Sequence, residues 1–242
     1  MISFIIPAKN EEGFIGGCLR SILAQQTGEV FEIVVVDNNS ADRTAEEARR
    51  VAPEARIFRE EKIGTNPARQ RGFLESKGEI LIFLDADVRL PDIFWLQRTL
   101  ARFIASEKAV AVSTHYRYYN MPIYQKIWQV FGTFVFIYPW VFLIDKLFRH
   151  SAHMVGGMMA IKRQALSLAG GFGKETEFYG DETIISKKLY PLGKIIVSPS
   201  LLVWTAGRRY SKYGMPRTVF RYVINYFWVL FTGRPYHNRS LN

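Results

Sequence analysis

The chain has 242 residues, of which 48% are hydrophobic, so it can bury a sizeable core and is not a disordered chain. Its one cysteine, Cys18, excludes an internal disulfide and a cysteine-based zinc cluster. The formal net charge of +10 favours an anionic partner, which could be nucleic acid, nucleotide phosphates or an acidic membrane surface. The alternative is that the basic residues simply form a solvated surface. The N-terminus lacks a basic stretch before its short apolar run, which predicts an opening β-strand instead of a signal peptide.

Short apolar runs alternate with helical patterns in the first half of the chain. Strands are predicted at Ile2–Ile6, Ile33–Val36, Ile80–Leu84 and Ala109–Ser113. Helices are predicted around Phe14–Ile22, over Asp42–Ala52, from Asn66 and Pro67, and from Pro91 to about Ala105. Continuous apolar runs suit strands that are covered on both faces. The alternation therefore predicts an α/β fold with a mixed, mostly parallel sheet flanked by helices.

Polar clusters follow three of these predicted strands, at their carboxyl ends. The clusters are Pro7-Ala8-Lys9-Asn10-Glu11, Asp37-Asn38-Asn39-Ser40 and Asp85-Ala86-Asp87. In open α/β sheets the ligand binds beyond the carboxyl ends of the strands. We therefore expect these clusters to meet in one crevice.

Asp85 and Asp87 are the candidate metal ligands. Two carboxylates separated by one residue can both reach a crevice when the chain turns directly after a strand. Mg²⁺ and Mn²⁺ prefer such oxygen ligands and often complete their coordination with substrate phosphate and water. A capped turn is the alternative reading of this short motif.

Other residues of the first half suit a nucleotide. Asp37 lies at the end of its strand, ahead of the helix cap, where a carboxylate can accept a hydrogen bond from a base N–H or a ribose hydroxyl. Arg69 and Arg71 follow a predicted helix start, and a helix N-terminus with arginine suits a phosphate, although surface arginines would look the same.

The second half is more aromatic and more basic. Ile127–Ile144 is nearly all apolar and includes Pro139, and Val219–Phe231 is a second aromatic helical stretch. Between them the pattern predicts a return strand at Gly156–Ile161, a helix from Asp181 to about Leu192 and a strand at Lys194–Val197. The apolar stretches are either core helices or an in-plane attachment to an anionic membrane; Pro139 and the borderline length argue against a crossing helix.

Taken together, these residues resemble the family 2 glycosyltransferases of the GT-A type. The matching segments are Ile-Ile-Pro-Ala-Lys-Asn-Glu-Glu (5–12), Val-Val-Val-Asp-Asn-Asn-Ser-Ala-Asp-Arg-Thr (34–44), Ala-Arg-Gln-Arg-Gly (68–72), Phe-Leu-Asp-Ala-Asp (83–87), Gly-Gly-Met-Met-Ala-Ile-Lys-Arg (156–163), Gly-Gly-Phe (170–172) and Tyr-Gly-Asp-Glu (179–182). The resemblance covers roughly residues 1–210 and is looser after Ser113.

The resemblance implies a role for individual residues. Asp37 matches the carboxylate that reads the nucleotide base, Asp85 the first metal-motif residue near the ribose and the metal, and Asp87 the direct ligand of Mg²⁺ or Mn²⁺. Asp181 falls at the catalytic base, although Gly180 replaces the acidic residue that precedes it in the family. A helix cap is the alternative role for Asp181. The Gln-x-x-Arg-Trp motif of the family's processive members is absent from this sequence. Arg208 and Arg209 are found in its place and are expected to bind the diphosphate. The expected donor-site residues also include Pro7, Ala8, Asn10, Glu11, Asn39, Arg69 and Ala86.

The expected partners are a nucleoside-diphosphate sugar and an acceptor that is lipid-linked or part of the cell envelope. We expect a cytoplasmic protein at the inner face of an anionic membrane. No nucleic-acid-binding motif accompanies the positive charge, so nucleic acid is not an expected partner. Gly180 keeps open a nucleotide-sugar-binding protein with an inactive site. The predicted division is a donor half (1–115), an apolar insertion (116–150), an acceptor half (151–210) and a basic aromatic C-terminal helix (211–242).

Overall fold

The computed structural model of the chain describes residues 1–122, 154, 157–173, 181–232 and 236. Its strands are β1 (Ile2–Ala8), β2 (Phe31–Asp37), β3 (Arg56–Arg59), β4 (Ile80–Leu84), β5 (Ala109–Ser113), β6 (Tyr116–Tyr118), β7 (Met158–Lys162), β8 (Lys194–Val197) and β9 (Val203–Thr205). Its helices are α1 (Glu12–Leu23), α2 (Thr44–Val51), α3 (Thr65–Glu75), α4 (Trp95–Ile104), α5 (Arg163–Leu168), α6 (Asp181–Leu189), α7 (Arg208–Tyr213) and α8 (Met215–Thr232).

A seven-stranded sheet in the order β3-β2-β1-β4-β7-β5-β8 forms the centre of the molecule. The pairs β3–β2, β2–β1, β1–β4 and β5–β8 are parallel, whereas β7 runs antiparallel to both β4 and β5. Strands β6 and β9 form a separate parallel pair. The predicted mixed, mostly parallel sheet with flanking helices is confirmed.

Alternate residues of β1 enter different hydrophobic cores. Phe4 and Ile6 belong to the core that contains residues of α1, α2 and α4. Ile5 belongs to the core that contains residues of α3, α5 and α6. Because successive side chains of a strand point to opposite faces, the two cores cover the two faces of the sheet. This explains why the strand reads as an unbroken apolar run.

The predicted start of the fourth helix at Pro91 is wrong, because α4 begins at Trp95. The carboxylate of Asp92 accepts a hydrogen bond from the Phe94 N–H (2.9 Å), and Gln25 bonds both the Asp92 carbonyl (2.8 Å) and the Leu96 N–H (2.9 Å). These long-range bonds from Gln25 stabilise a turn over the residues that sequence pattern assigned to the helix.

Smaller differences occur elsewhere. Helix α3 starts one residue before Asn66, which is buried within the first turn and is not the cap. The short strands β3 and β6 were not predicted; β3 is an edge strand with an arginine at each end. Within the described residues, no helix is long and apolar enough to span a membrane. The predicted Ile127–Ile144 segment lies outside those residues, so the insertion at 116–150 stays a prediction.

Candidate functional site

The polar ends of three adjacent strands lie along one edge of the sheet. Strand β1 is paired in parallel with β2 on one side and β4 on the other, and Ala8 at its end is in register with Asp37. Asp85 directly follows β4. The carboxyl ends of neighbouring parallel strands lie at the same edge of a sheet, and such strands are about 4.8 Å apart. The clusters after β1, β2 and β4 are therefore neighbours in space.

Hydrogen bonds join the loop after β1 to the loop after β2. Asn10, at φ +54°, donates its backbone N–H to Ser40 Oγ (3.0 Å) and accepts from the Ala41 N–H at Oδ1 (2.9 Å). The Glu11 N–H donates to Thr44 Oγ1 (2.8 Å). The two loops form one unit, in which the side chain of Asn10 is already used to position Ala41.

Asp37 is buried at the end of β2, where its Oδ1 accepts a hydrogen bond from the Ser40 N–H (3.2 Å). A carboxylate offers several acceptor positions, so this bond orients the group without saturating it. Its neighbour Asn39 is exposed, at φ +56°, and accepts from Arg59 Nη2 (2.6 Å). Pro7 is half-buried and Ala8 is buried ahead of this loop.

Asn38 is a structural residue of the site, with a role that its sequence context does not reveal. Its buried side chain donates from Nδ2 to the carbonyls of Glu60 (3.0 Å) and Lys62 (2.8 Å) and accepts from the Gly64 N–H (2.8 Å). Gly64 has φ +139°, which side-chain-bearing residues rarely adopt, and it precedes α3. Asn38 thus ties the end of β2 to the start of the helix that carries Arg69.

We expect Asn38→Ala to lower the free energy of unfolding by about 2–4 kcal/mol, because it leaves buried backbone groups without their partner. Urea denaturation measures this loss as a lower midpoint with an unchanged slope. Asn39→Gly is the matched control, since it removes an exposed amide and keeps the positive φ. Equal stability of Asn38→Ala and the wild type would contradict the tethering role.

Arg69 is buried beneath the site, not placed on the surface. Its side chain is 3% exposed, and its Nη2 lies 3.1 Å from Oδ1 of Asp85, whose side chain is 41% exposed. The Asp85 carboxylate is therefore bound to Arg69 on its buried side and exposed to solvent on the other side. Arg71, in contrast, forms an ion pair with Glu75 (3.0 Å) and lies over the ring of Phe58.

Asp87 contacts residues that arrive from the far end of the chain. Its Oδ1 accepts a hydrogen bond from Thr205 Oγ1 of β9 (3.3 Å), and its Oδ2 lies 3.8 Å from Nη2 of Arg208. The same guanidinium donates to Glu11 and lies 4.7 Å from the centroid of the Phe14 ring. Arg208 thus bridges the loop after β1 and the loop after β4. Ala86, between the two aspartates, is buried in the core.

The carboxyl group of Glu11 is strongly perturbed by this environment. The pKa of Glu11 is raised to about 7, chiefly by burial and in smaller part by the charges of Asp87 and Asp85, while the hydrogen bond and charge of Arg208 act in the opposite direction. Its Oε2 is buried and has no hydrogen-bond partner in the part of the chain that the structure describes. A buried oxygen of this kind, beside two aspartates, suits a site that accepts a cation or a donor group.

Tyr116 and Gly157 line the other side of Asp85. The Asp85 N–H donates to the Gly157 carbonyl (3.1 Å), and the Gly157 N–H donates to the Tyr116 hydroxyl. A Cβ on Gly157 would lie 2.5 Å from that hydroxyl and 3.1 Å from Asp85 Oδ2, so only glycine fits without displacement. Burial raises the pKa of Tyr116 far above its usual value, and the charges of Asp85 and Glu182 add to this effect. No local signal in the sequence marks Tyr116.

Glu182, the second residue of α6, is one of the charges that raise the pKa of the Tyr116 hydroxyl. Asp181 is the first residue of that helix. Its side chain lies outside the described part of the structure, as does that of Arg209, which follows Arg208 in α7. The structure therefore brings together Asp37, Asp85, Asp87, Glu11, Arg69 and Arg208, and positions only the backbone of Asp181 and Arg209.

These carboxylates do not form a complete metal cage by themselves. Within the described residues, no group of three or more His, Cys, Asp and Glu side chains is arranged to hold a metal ion. Mg²⁺ and Mn²⁺ sites commonly use one or two carboxylates and leave the other positions to phosphate and water. Asp85 and Asp87 supply hard oxygen donors of that kind, so the residues present fit such an ion.

Comparison with known families agrees with this architecture, because residues 3–168 match Glycosyl transferase family 2. The chain belongs to glycosyl transferase family 2. A dolichol-phosphate mannosyltransferase of Pyrococcus furiosus is 32% identical over 133 residues, which cover 52% of this chain and 37% of the relative. The chain spans about a third of the length of the curated relatives that it matches.

Solved structures confirm the GT-A fold of this family 2 chain. Glucosyl-3-phosphoglycerate synthase from Mycobacterium tuberculosis, in complex with Mg²⁺ and UDP, superposes with a TM-score of 0.71 at 20% identity, covering 97% of this chain and 80% of that one. A mannosyltransferase from Pyrobaculum calidifontis, in complex with GDP-Man and Mn²⁺, superposes with a TM-score of 0.70 at 24% identity, covering 93% and 62%. At these identities the likeness concerns the fold alone.

Proposed function

We propose that this chain transfers a sugar from a nucleoside-diphosphate sugar to an acceptor hydroxyl or phosphate, with inversion and with Mg²⁺ or Mn²⁺. The observation that carries the proposal is the meeting of Asp37, Asp85 and Asp87 at one sheet edge, with Arg208 reaching Asp87 from the far end of the chain. Membership of family 2 and structural neighbours that contain UDP or GDP-Man with a divalent ion support it.

In this proposal each end of the site handles a different part of the donor. Asp37 accepts a hydrogen bond from the base or ribose, and Asp85 and Asp87 hold the metal ion, with Asp85 also near the ribose. When bound, the ion stabilises negative charge on the departing nucleoside diphosphate. Arg208 and Arg209 contribute positive charge to the same diphosphate. The remaining donor-site residues, Pro7, Ala8, Asn10, Glu11, Asn39, Arg69 and Ala86, shape or support the surface that the nucleotide contacts.

Asp181 is proposed to accept the proton of an acceptor hydroxyl. The acceptor oxygen then forms a bond to the anomeric carbon while the bond from that carbon to the diphosphate oxygen breaks on the opposite side. The proton ends on Asp181 and the negative charge on the nucleoside diphosphate, so the step is a direct displacement with inversion. A lipid-linked acceptor agrees with the name of the dolichol-phosphate mannosyltransferase relative. The proposed place of transfer is the cytoplasmic face of a membrane.

A binding panel tests the proposed donor. We expect one of UDP, GDP or dTDP, or the corresponding nucleotide sugar, to raise the melting temperature in the presence of Mn²⁺ and not in the presence of a chelator, because a ligand that binds the native state stabilises it. The nucleotide that stabilises the chain then identifies the base. No shift with any of these nucleotides, confirmed by calorimetry, would remove the proposal.

The substitution Arg208→Gln is expected to have opposite effects on the binding of Mn²⁺ alone and on the binding of the nucleotide. Arg208 contacts the candidate metal ligand Asp87, so we expect its loss to tighten binding of Mn²⁺ alone about fivefold, since two unit charges about 4 Å apart interact by about 1 kcal/mol in water. Binding of the nucleoside diphosphate with Mn²⁺ should weaken, because a diphosphate contact is lost. Electron paramagnetic resonance of Mn²⁺ and calorimetry of the nucleotide measure the two effects. Arg117→Gln, an exposed arginine over Trp204, is the control for net charge. Unchanged or weaker binding of Mn²⁺ alone would contradict the effect of Arg208 on the metal ligand, and unchanged or tighter binding of the nucleotide would contradict the diphosphate contact.

A further inference from the structure

One face of α8 exposes a row of large apolar side chains. Phe220 is 65% exposed, Trp228 46% and Phe231 69%. At about 100° of rotation per residue, they fall within an arc of about 80° on the helix. Tyr236, 55% exposed, extends the row, since its ring lies 5.1 Å from that of Trp228. We call these four residues the α8 stripe.

A different face of α8 is anchored to the protein. Thr218 and Asn225 are buried, and the helix packs against α6 and α7. Thr218 donates to the Gly214 carbonyl (2.8 Å) and Asn225 donates to the Arg221 carbonyl (2.8 Å), each four residues back in the helix. These bonds satisfy side-chain donors within the helix. The stripe is thus exposed on a helix that a neighbouring face fixes to the protein.

The stripe differs from the remaining exposed apolar residues. Within the described part of the chain, the other exposed large apolar residues are single, as at Val30, Leu74, Ile104 and Leu168, or form short pairs, as at Ile93 with Phe94 and Tyr190 with Leu192. Single exposed apolar residues are normal on soluble proteins, whereas contiguous apolar patches mark contact surfaces. The α8 stripe therefore has the character of a contact surface.

The charge around the stripe identifies the kind of partner. The sequence has no Asp or Glu after Glu182, and Lys212 and Arg217 are exposed close to or within α8. Aromatic residues flanked by lysine and arginine on one helix suit the interface of an anionic bilayer, where rings sit at headgroup level and cations meet lipid phosphate. A second copy of the chain, docked through the same face by two-fold symmetry, would bring these cations together.

We propose that the α8 stripe docks the protein on an anionic lipid bilayer, with the helix lying in the plane of the membrane. The proposal gives a physical site to the membrane contact of the proposed function. Arg208, beside Asp87, begins α7, and α7 packs on α8. Docking of α8 therefore holds the candidate donor site beside the membrane surface, where a lipid-linked acceptor would be reached.

Vesicle sedimentation tests the docking surface. We expect the wild type to bind vesicles of equal parts phosphatidylglycerol and phosphatidylcholine, and to bind much less to pure phosphatidylcholine. The triple variant Phe220→Ser/Trp228→Ser/Phe231→Ser should bind the anionic vesicles at least about tenfold more weakly, because three interfacial aromatic side chains are removed. Ile104→Ser/Leu168→Ser is the control, since its side chains are 82% and 69% exposed away from α8. Failure of the wild type to bind, or undiminished binding by the triple variant, would overturn the proposal.

Two further measurements keep the result independent of folding and of catalysis. Trp228→Phe preserves the apolar surface, and we expect it to lose a large part of the tryptophan quenching by lipids with brominated acyl chains; unchanged quenching would count against insertion at this residue. Nucleotide binding with Mn²⁺ reports on the donor site alone, so a triple variant that binds nucleotide and not vesicles is folded and supports the docking surface. If the wild type binds vesicles but does not bind nucleotide, the proposed function is wrong and the docking surface is still supported. A wild-type dimer that the triple variant converts to monomer would assign the stripe to a second copy instead.

Discussion

Asp181→Asn is expected to lower the rate of sugar transfer by about 10²–10⁴-fold, the usual contribution of a general base. Binding of the nucleoside diphosphate with Mn²⁺ should stay within about twofold of the wild type, because Asp181 is assigned to the acceptor and not to the donor. Asparagine has nearly the size and shape of aspartate, so we expect α6, which begins at this residue, to keep its start. Release of nucleoside diphosphate from the donor that the binding panel identifies, with a membrane lipid extract as the source of acceptor, measures the rate.

Glu182→Gln is the matched control for this substitution, since it removes the adjacent carboxylate. If Asp181→Asn transfers sugar at a near-normal rate and Glu182→Gln does not, the base is Glu182 and the role proposed for Asp181 is wrong. If the wild type binds the nucleotide sugar and shows neither transfer nor donor hydrolysis, the chain is a nucleotide-sugar-binding protein. Gly180, in place of the acidic residue expected before Asp181, is the feature that makes this comparison necessary.

Asp87→Asn is expected to weaken binding of the nucleoside diphosphate in the presence of Mn²⁺ by at least about 100-fold, since even the residues that support metal ligands contribute about 10–100-fold to metal affinity. The asparagine retains an oxygen for the hydrogen bond from Thr205 Oγ1, so the connection between the loop after β4 and β9 should persist. Calorimetric titration with and without a chelator separates the metal-dependent part of the affinity from the rest.

Asp92→Asn controls for the lost negative charge, because Asp92 pairs with Arg98 (2.6 Å) outside the site. We expect it to bind Mn²⁺ and nucleotide as the wild type does. A wild-type-like affinity of Asp87→Asn for the nucleotide with Mn²⁺ would remove Asp87 from the metal site. Equal weakening by both substitutions would mean that the overall charge, and not ligation by Asp87, governs nucleotide binding.

Local sequence determined the layered fold and the direction in which to look for the site. Unbroken apolar runs such as Ile80–Leu84 must be covered on both faces, which requires a sheet between helices. Polar residues such as Asp37 and Asp85 directly follow those runs, and the parallel pairing of β1 with β2 and β4 places them at one edge. The roles assigned to individual site residues and the division of the chain into halves stay predictions.

Tertiary structure decided which side chains complete that edge. Arg208 joins Glu11 and approaches Asp87, Asn38 bonds the loop before α3, and Tyr116 meets Gly157 beside Asp85. None of these pairings has a local signal, because periodicity and capping patterns report on neighbours within a few turns, whereas these contacts join segments that only the sheet order brings together. The displaced start of α4 has the same cause, since the side chain of Gln25, far away in sequence, bonds the turn before it.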